Sequence, residues 1–170
     1  DRDVPDWRGE MKRIQDEILS PTLAGLAKDD LEYRGALYAG IMLTKDGPKL
    51  LEYNARFGDP EIQAVLPLLD ADLLALAHDC ARGKLTGGIL PAKPGACVGV
   101  TLSTPGYPDS PQVGDVLDVS GAEGLTDVLI FHAGTKRNAK GWIATGGRVL
   151  TVVGRGRDLA TARERAYDAV

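Results

Sequence analysis

Two side chains that carry hard oxygen atoms, Glu52 and Asn54, stand two positions apart in residues 50–54 (Leu-Leu-Glu-Tyr-Asn), which we predict to be a strand. Side chains with this spacing project from the same face of a strand. A carboxylate beside an amide carbonyl suits Mg²⁺, which prefers oxygen ligands. The same spacing is also typical of the solvated face of a sheet, so both interpretations stay open.

A tight and charged turn follows this strand, and it contains Arg56, Gly58, Asp59 and Pro60. A guanidinium group binds phosphate oxygens through several N–H donors. Ligand sites also occur often at the ends of strands. The turn therefore adds a phosphate-binding group to the predicted metal ligands.

A second group with possible chemistry is formed by His132 and Thr135, which flank an Ala-Gly turn at the end of a predicted strand over residues 128–132. The two side chains could line a pocket. The alternative is a strand-end histidine whose hydrogen bonds are satisfied locally. His78 lies in a leucine-rich helix, where we predict a structural role. No serine, histidine and aspartate set, and no cysteine and histidine set, predicts covalent hydrolase chemistry.

The composition excludes several classes of protein. The chain has 170 residues, of which 44% are hydrophobic, and a net charge of −4 with both signs mixed along the sequence. A nucleic-acid-binding surface would require a basic patch, and no apolar run has the length of a membrane span. Cys80 and Cys97 predict buried free thiols in a reducing compartment, so we expect a cytoplasmic protein.

The predicted elements place the Glu52 strand in a hairpin. A helix over residues 7–19 comes first, and then either Ser20 caps a second helix or the helix kinks at Pro21. Residues 35–44 predict a strand buried on both faces. Residues 45–48 predict a turn, and residues 49–54 the return strand. The small residues Ala39 and Gly40 would leave room for a ligand.

Two further helices follow, one over residues 61–66 and one that Asp70 or Asp72 caps and that ends near Gly83. The glycine- and proline-rich residues 84–95 predict a linker. Short strands then alternate with turns, and a helix capped by Asp158 closes the chain. We predict an α+β fold, with the C-terminal part of one domain over residues 1–90 and a β-rich domain, a small antiparallel sheet or partial barrel, over residues 91–170.

A glycine-rich segment, Gly154-Arg155-Gly156, does not complete a dinucleotide-binding pattern, because Leu159 stands where a third glycine should be. We predict a plain strand-to-helix loop there. The chain opens on residues 1–6, which predict a loop, and lacks an initiating Met. We therefore expect a piece of a longer protein.

Three groups of residues strongly resemble the phosphoribosylamine–glycine ligase family, which belongs to the ATP-grasp superfamily. The first group comprises residues 33–40 and 51–61. The other two comprise residues 106–108 together with 131–135, and residues 145–150 (Thr-Gly-Gly-Arg-Val-Leu). The three groups keep their order over about 120 residues. The resemblance implies the C-terminal part of an ATP-grasp domain followed by the C-terminal domain of the family.

The resemblance also implies a function. Such an enzyme joins glycine to phosphoribosylamine through a glycyl phosphate and consumes ATP in purine biosynthesis. Glu52 and Asn54 would hold Mg²⁺, or Mn²⁺, on the nucleotide phosphates, and Arg56 would stabilise the transferred phosphoryl group. Substrate would be bound by Arg56 as well, together with Gly58, Asp59, Pro60, His132 and Thr135. For Asp59, an Asx-type turn onto its own backbone is the alternative, and both roles are compatible.

The glycine-rich loop over the phosphates and the adenine-binding residues of the family are not found in this sequence, and we expect them in the remainder of the same polypeptide. Two other functions therefore stay open. One is a non-catalytic binding or assembly module with a vestigial site. The other is an ATP-grasp ligase for a different amine and carboxylate.

Overall fold

The computed structural model describes residues 7–139 and 141–170, and it confirms the predicted α+β fold with antiparallel strands. The predicted loop over residues 1–6 lies outside the described residues. Contacts between backbone positions divide the chain into two compact units. The first unit comprises the residues up to Gly58 together with Asp72–Gly87, and the second comprises Asp59–Ala71 and Gly88–Val170.

This grouping differs from a single division between residues 90 and 91, because Asp59–Ala71 pack with the second unit. The physical reason is backbone pairing across the predicted linker. The Asp70 N–H donates to the Pro91 carbonyl (2.9 Å), and the Lys93 N–H donates to the Leu68 carbonyl (2.7 Å). The assignment of residues 1–90 and 91–170 to separate domains stays a prediction.

The first unit begins with continuous helix: α1 (Trp7–Ile14), a π-helical turn (Gln15–Leu19) and α2 (Ser20–Lys28). Ser20 has helical backbone angles (φ −63°, ψ −44°), so it is not an N-cap. Pro21 has no N–H and cannot continue the ladder of backbone hydrogen bonds. The π-helical turn ends two residues before this proline. The Thr22 hydroxyl donates to the Ile18 carbonyl at 2.8 Å.

The predicted hairpin is confirmed: β1 (Tyr38–Thr44) pairs antiparallel with β2 (Gly47–Asn54). Gly47 has a φ of +108°, which suits glycine at this turn. The prediction that β1 is buried on both faces is wrong for the structure described. Met42 is 51% exposed, and in the described part of the chain β1 pairs with β2 alone.

The helix α4 (Leu73–Ala81) completes the first unit, and Asp72 caps it as predicted. The Asp72 carboxylate accepts hydrogen bonds from the backbone N–H groups of Leu74 (2.8 Å) and Ala75 (3.0 Å). Leu74 on this helix is 79% exposed. His78, predicted to be structural, is exposed beside Asp79. None of the helices in residues 7–139 and 141–170 has the length and apolar character to cross a bilayer.

The second unit contains two antiparallel sheets of three strands each. It begins with α3 (Glu61–Val65) and a 3₁₀ turn (Leu66–Leu68). The strands, in chain order, are β3 (Ala96–Ser103), β4 (Val116–Leu117), β5 (Val128–His132), β6 (Thr135–Asn138), β7 (Gly141–Ala144) and β8 (Arg148–Gly156). One sheet has the order β3-β8-β5 and the other β4-β7-β6. The strand β4 has two residues, and β6 was not predicted.

The centre of the second unit is β8, in which Val152 and Val153 are buried, and helix α5 (Leu159–Asp168) packs on it. Gly154 and Gly156 belong to β8, so the predicted loop at these residues is wrong. A Cβ atom on Gly154 would lie 2.2 Å from the Ala162 carbonyl oxygen. Only glycine therefore allows helix and strand to approach this closely.

Asp158 caps α5, as predicted, by accepting a hydrogen bond from the Thr161 backbone N–H at 2.8 Å. This hydrogen bond lowers the pKa of Asp158 below its ordinary value. Both cysteines are free, as predicted, and only partly buried. Burial raises the pKa of the Cys97 thiol, and the charge of Arg155 acts in the opposite direction.

Candidate functional site

The first group of candidate residues lies at the end of β2 in the first unit. The Asn54 side-chain amide donates a hydrogen bond to Glu52 Oε1 at 2.9 Å. The two side chains are therefore on one face of the strand, as their spacing predicts. Glu52 is exposed and Asn54 is half-buried. This pair places a carboxylate and an amide side by side at an accessible position.

Two features of the hairpin shape the surroundings of Glu52. Gly40 is its direct partner on β1, and a Cβ atom at Gly40 would lie 3.3 Å from Glu52 Cγ. Gly40 pairs with Glu52, whereas the next residue, Ile41, pairs with Leu50. The register therefore shifts at this point, and Leu51 is an extra residue on β2. Such a β-bulge bends a strand and redirects its side chains. Because Gly40 has no side chain, there is space for the Glu52 side chain opposite it.

Arg56 and Gly58 follow β2 in the same unit. The Arg56 guanidinium donates to the carbonyl of the next residue, Phe57, at 2.8 Å. The side chain is exposed, and a guanidinium carries five N–H donors, so Arg56 keeps donors for a ligand. Gly58 is buried.

Asp59 belongs to the second unit, where two side chains contact it. One of them is on α3, and the other is far along the chain. Gln63 donates to Asp59 Oδ1 at 2.9 Å. Arg148 donates to the Asp59 backbone carbonyl at 2.8 Å and lies 3.4 Å from Oδ2. A carboxylate has about four acceptor positions, so Asp59 keeps acceptor capacity for a ligand. Pro60 is half-buried and immediately precedes α3.

His132 and Thr135 are brought together in the second unit. His132 Nδ1 and Thr135 Oγ1 form a hydrogen bond of 2.9 Å. The imidazole packs on the Trp142 indole with ring centroids 4.0 Å apart. This hydrogen bond agrees with the alternative interpretation of His132 as a strand-end histidine whose hydrogen bonds are satisfied locally. His132 nevertheless remains exposed.

The His132–Thr135 turn is tied to the start of β8, where Arg148 lies. The Gly134 N–H donates to the Arg148 carbonyl at 2.9 Å. A Cβ atom on Gly134 would lie 2.8 Å from Gly146 Cα, so this position requires a glycine. Tyr107 packs against the adjacent Gly147. The segments around residues 107, 134 and 147 therefore meet at one end of β8, next to Asp59.

The sequence analysis missed Arg148 and Gln63 as site residues. Arg148 stood within the Thr-Gly-Gly-Arg-Val-Leu stretch, and its position after two glycines at a strand start was the available signal. Its partner Asp59 is 89 residues away, so no local pattern joins them. Gln63 follows Asp59 by four residues, the spacing of one helical turn.

The donor set of Glu52 and Asn54 fits a hard divalent cation, because both side chains offer oxygen atoms from one strand face. Within residues 7–139 and 141–170, no group of three or more histidine, cysteine, aspartate or glutamate side chains forms a metal cluster. The pair would therefore be an open site, in which a nucleotide phosphate supplies further oxygens, as is usual for Mg²⁺ in nucleotide-dependent enzymes.

Comparison with known proteins identifies the class to which this fold and site belong. The family model "Phosphoribosylglycinamide synthetase, ATP-grasp (A) domain" matches residues 7–62, and "Phosphoribosylglycinamide synthetase, C domain" matches residues 97–170. The two matched regions together make up more than half of the chain. The chain is thus part of an ATP-grasp domain joined to a C domain.

Similar proteins narrow this class. The phosphoribosylamine–glycine ligase of Caulobacter vibrioides is 45% identical over 91% of this chain, and the match covers 36% of that protein. The phosphoribosylamine–glycine ligase of Phenylobacterium zucineum is 44% identical over 94% of this chain, and the match covers 38% of that protein. The ligase of Vigna unguiculata is 43% identical over 92% of the chain and 52% of its own length. The crystal structure of the ligase from Thermotoga maritima superimposes with a TM-score of 0.78 at 35% identity, over 94% of this chain and 39% of that one.

The chain belongs to the phosphoribosylglycinamide synthetase family, as the resemblance implied. It spans 36% to 52% of the length of the curated relatives named above.

Proposed function

We propose that this chain supplies the metal-binding strand and the substrate-side residues of an ATP-dependent ligase that joins glycine to phosphoribosylamine. The products would be glycinamide ribonucleotide, ADP and phosphate, in purine biosynthesis. The observation that carries the proposal is the Glu52–Asn54 pair on one face of β2. The names of the relatives supply the two substrates, and the proposal includes a longer polypeptide that carries the rest of the nucleotide site.

In this proposal Glu52 and Asn54 hold Mg²⁺, or Mn²⁺, against the phosphates of ATP. The cation supplies positive charge that offsets the charge of the phosphate oxygens. The bulge at Leu51 and the small Gly40 help to position the Glu52 carboxylate. The hydrogen bond from Asn54 orients the carboxylate in the absence of a cation.

Arg56 stabilises negative charge during phosphoryl transfer from ATP to the glycine carboxylate, which gives a glycyl phosphate. This role is electrostatic, since a guanidinium does not lose its proton in proteins. The amine of phosphoribosylamine then attacks the activated carbonyl, and phosphate leaves. Arg56 is suited to the role because its side chain is exposed and a guanidinium carries several N–H donors.

The substrate-side residues are Gly58, Asp59, Pro60, His132 and Thr135. Asp59 accepts from an ammonium group or from ribose hydroxyls, and Gln63 and Arg148 orient it. His132 and Thr135 offer polar atoms at the same end of β8 as Arg148. We further propose a cytoplasmic location, in keeping with two free cysteines.

The test is Glu52→Ala in the full-length protein, with ADP release and glycinamide ribonucleotide formation as readouts. We expect a loss of about 10²–10³-fold in turnover, because one charge-stabilising group of the site is removed. Glu123→Ala, at an exposed turn position, is the matched control and should keep full activity. Wild-type turnover of Glu52→Ala at saturating Mg²⁺ would contradict the metal assignment.

The same assay separates the two alternative functions. Turnover with another amino acid in place of glycine, and none with glycine, would identify a ligase of different specificity. Absence of ADP release from the wild-type full-length protein with every amine and carboxylate offered would favour a non-catalytic module.

A further inference from the structure

A cavity of about 270 Å³ in the second unit concentrates positive charge, and none of the proposed site residues lines it. Its charged lining consists of four cations and one carboxylate: Lys93, Arg155, Arg157, Arg165 and Asp127. We call this cavity the basic pocket. An excess of cations here contrasts with the net charge of −4 of the whole chain.

Two of the arginines are held in place by the single carboxylate. Asp127 Oδ1 lies 3.1 Å from an Arg155 Nη atom, and Asp127 Oδ2 lies 2.7 Å from an Arg165 Nη atom. Arg165 also donates to the Arg155 carbonyl at 2.7 Å. Fixed guanidinium groups bind an oxyanion with little further loss of side-chain freedom. The Asp127 bridge therefore orders the pocket in advance of a ligand.

The pocket retains unused donors and uncompensated charge. Arg155 Nε is buried and has no hydrogen-bond partner among the described residues. In the same part of the chain, the Lys93 ammonium forms none of the ion pairs found. Asp127 balances one of the two guanidinium charges that it contacts. A buried donor without a partner is costly.

The remaining lining is apolar and includes Pro67, Leu68 and Pro94. A pocket lined by both cations and apolar side chains suits a phosphate monoester, whose carbon portion would contact the apolar side chains. The volume accommodates a small organic phosphate and not a large cofactor.

The basic pocket lies away from the Asp59–Arg148 pair. Arg148 begins β8, and Arg155 stands seven residues further along the same strand. At about 3.3 Å per residue, the two positions are about 23 Å apart. A ligand in the basic pocket would therefore not contact Asp59 or Arg148.

We propose that the basic pocket is a binding site for a phosphate-bearing small molecule, held by Lys93, Arg155 and Arg165. The proposal goes beyond the ligase function and does not depend on it. The ligand is defined by its phosphoryl group, which could belong to free phosphate or to a phosphate monoester.

The experiment is a calorimetric titration of the full-length protein with inorganic phosphate and, separately, with glycerol 3-phosphate. We expect saturable binding of at least one of the two probes. Lys93→Gln and Arg165→Gln should each weaken binding about tenfold or more, because each removes a charged donor to the phosphoryl group. The matched control is Arg163→Gln, which removes the same charge from an exposed position on α5 and should leave the affinity unchanged.

Binding of phosphate at a nucleotide site elsewhere in the protein would be insensitive to Lys93→Gln. Equal affinities of the wild type, Lys93→Gln and Arg165→Gln would therefore overturn the proposal, as would an absence of saturable binding of both probes. Arg165→Gln loses a contact with Asp127, so its thermal unfolding is measured alongside. Lys93→Gln loses no such contact and decides the outcome if Arg165→Gln does not fold.

Discussion

The hydrogen bond from the Asn54 side-chain amide to Glu52 joins the two residues proposed to bind the cation, and Gly40 lies opposite Glu52 on the neighbouring strand. A Cβ atom 3.3 Å from Glu52 Cγ would be a tight contact. The glutamate side chain would have to move by a few tenths of an ångström. Ligand positions in metal sites depend on the residues that support them. Gly40 thus acts as a positioning residue for the proposed metal site.

Gly40→Ala should therefore raise the Mg²⁺ concentration that gives half-maximal activity of the full-length protein by about tenfold. Turnover at saturating Mg²⁺ should change much less, since Glu52 remains present. Gly25→Ala is the matched control, because a Cβ atom there would have nothing within 4 Å. An unchanged Mg²⁺ dependence in Gly40→Ala would show that Gly40 does not position Glu52.

The association of β8 with α5 depends on glycine more than on large apolar side chains. Cβ atoms at Gly154 and Gly156 would lie 2.2 Å from the Ala162 carbonyl oxygen and 2.6 Å from the Ala162 nitrogen. Ala162 and Ala166 are fully buried in the same contact. Backbone atoms cannot move aside as a flexible side chain can. This close packing holds the helix that carries Arg165 against the strand that carries Arg155.

We expect Gly154→Ala to destabilise the protein by about 1–3 kcal/mol, the usual cost of overpacking a core. Denaturant unfolding measures the change. Gly121→Ala, where a Cβ atom would meet nothing within 4 Å, should stay within about 0.5 kcal/mol of the wild type. Equal stabilities of the two variants would mean that the contact between α5 and β8 relaxes freely.

Because the chain forms two compact units, we expect a destabilising substitution in one unit to increase local opening in that unit and not in the other. The helix α4 belongs to the first unit, whereas β8 forms the centre of the second. The Asp72 cap stabilises α4 alone, through the N–H groups of Leu74 and Ala75. Proteins open locally in contiguous cooperative units, each with its own free energy of opening.

Asp72→Ala should lower the stability of α4 by about 1 kcal/mol. Amide hydrogen exchange in residues 74–82 should therefore become about fivefold faster. Exchange in β8 should not change. Asp70→Ala, at an exposed position before α4 and without a capping role, is the control. Faster exchange in β8 as well would show that the two units open together.

Local chemistry explains which parts of the structure could be predicted. The turn before Gly47 and the caps at Asp72 and Asp158 depend on residues adjacent in sequence, and all three are confirmed. The strand β6 escaped prediction because Thr-Lys-Arg-Asn lacks apolar alternation. The pairing of Arg148 with Asp59 depends on tertiary folding, which no nearby pattern records.

The strand β8 carries Arg148 at its first position and Arg155 at its eighth, with buried side chains between them. A one-residue insertion or deletion in this interval would turn every later side chain to the opposite face of the sheet. It would also misplace Gly154 under α5. Length variation during evolution should therefore be confined to the loops of the second unit, and β8 should keep the same number of residues throughout the family.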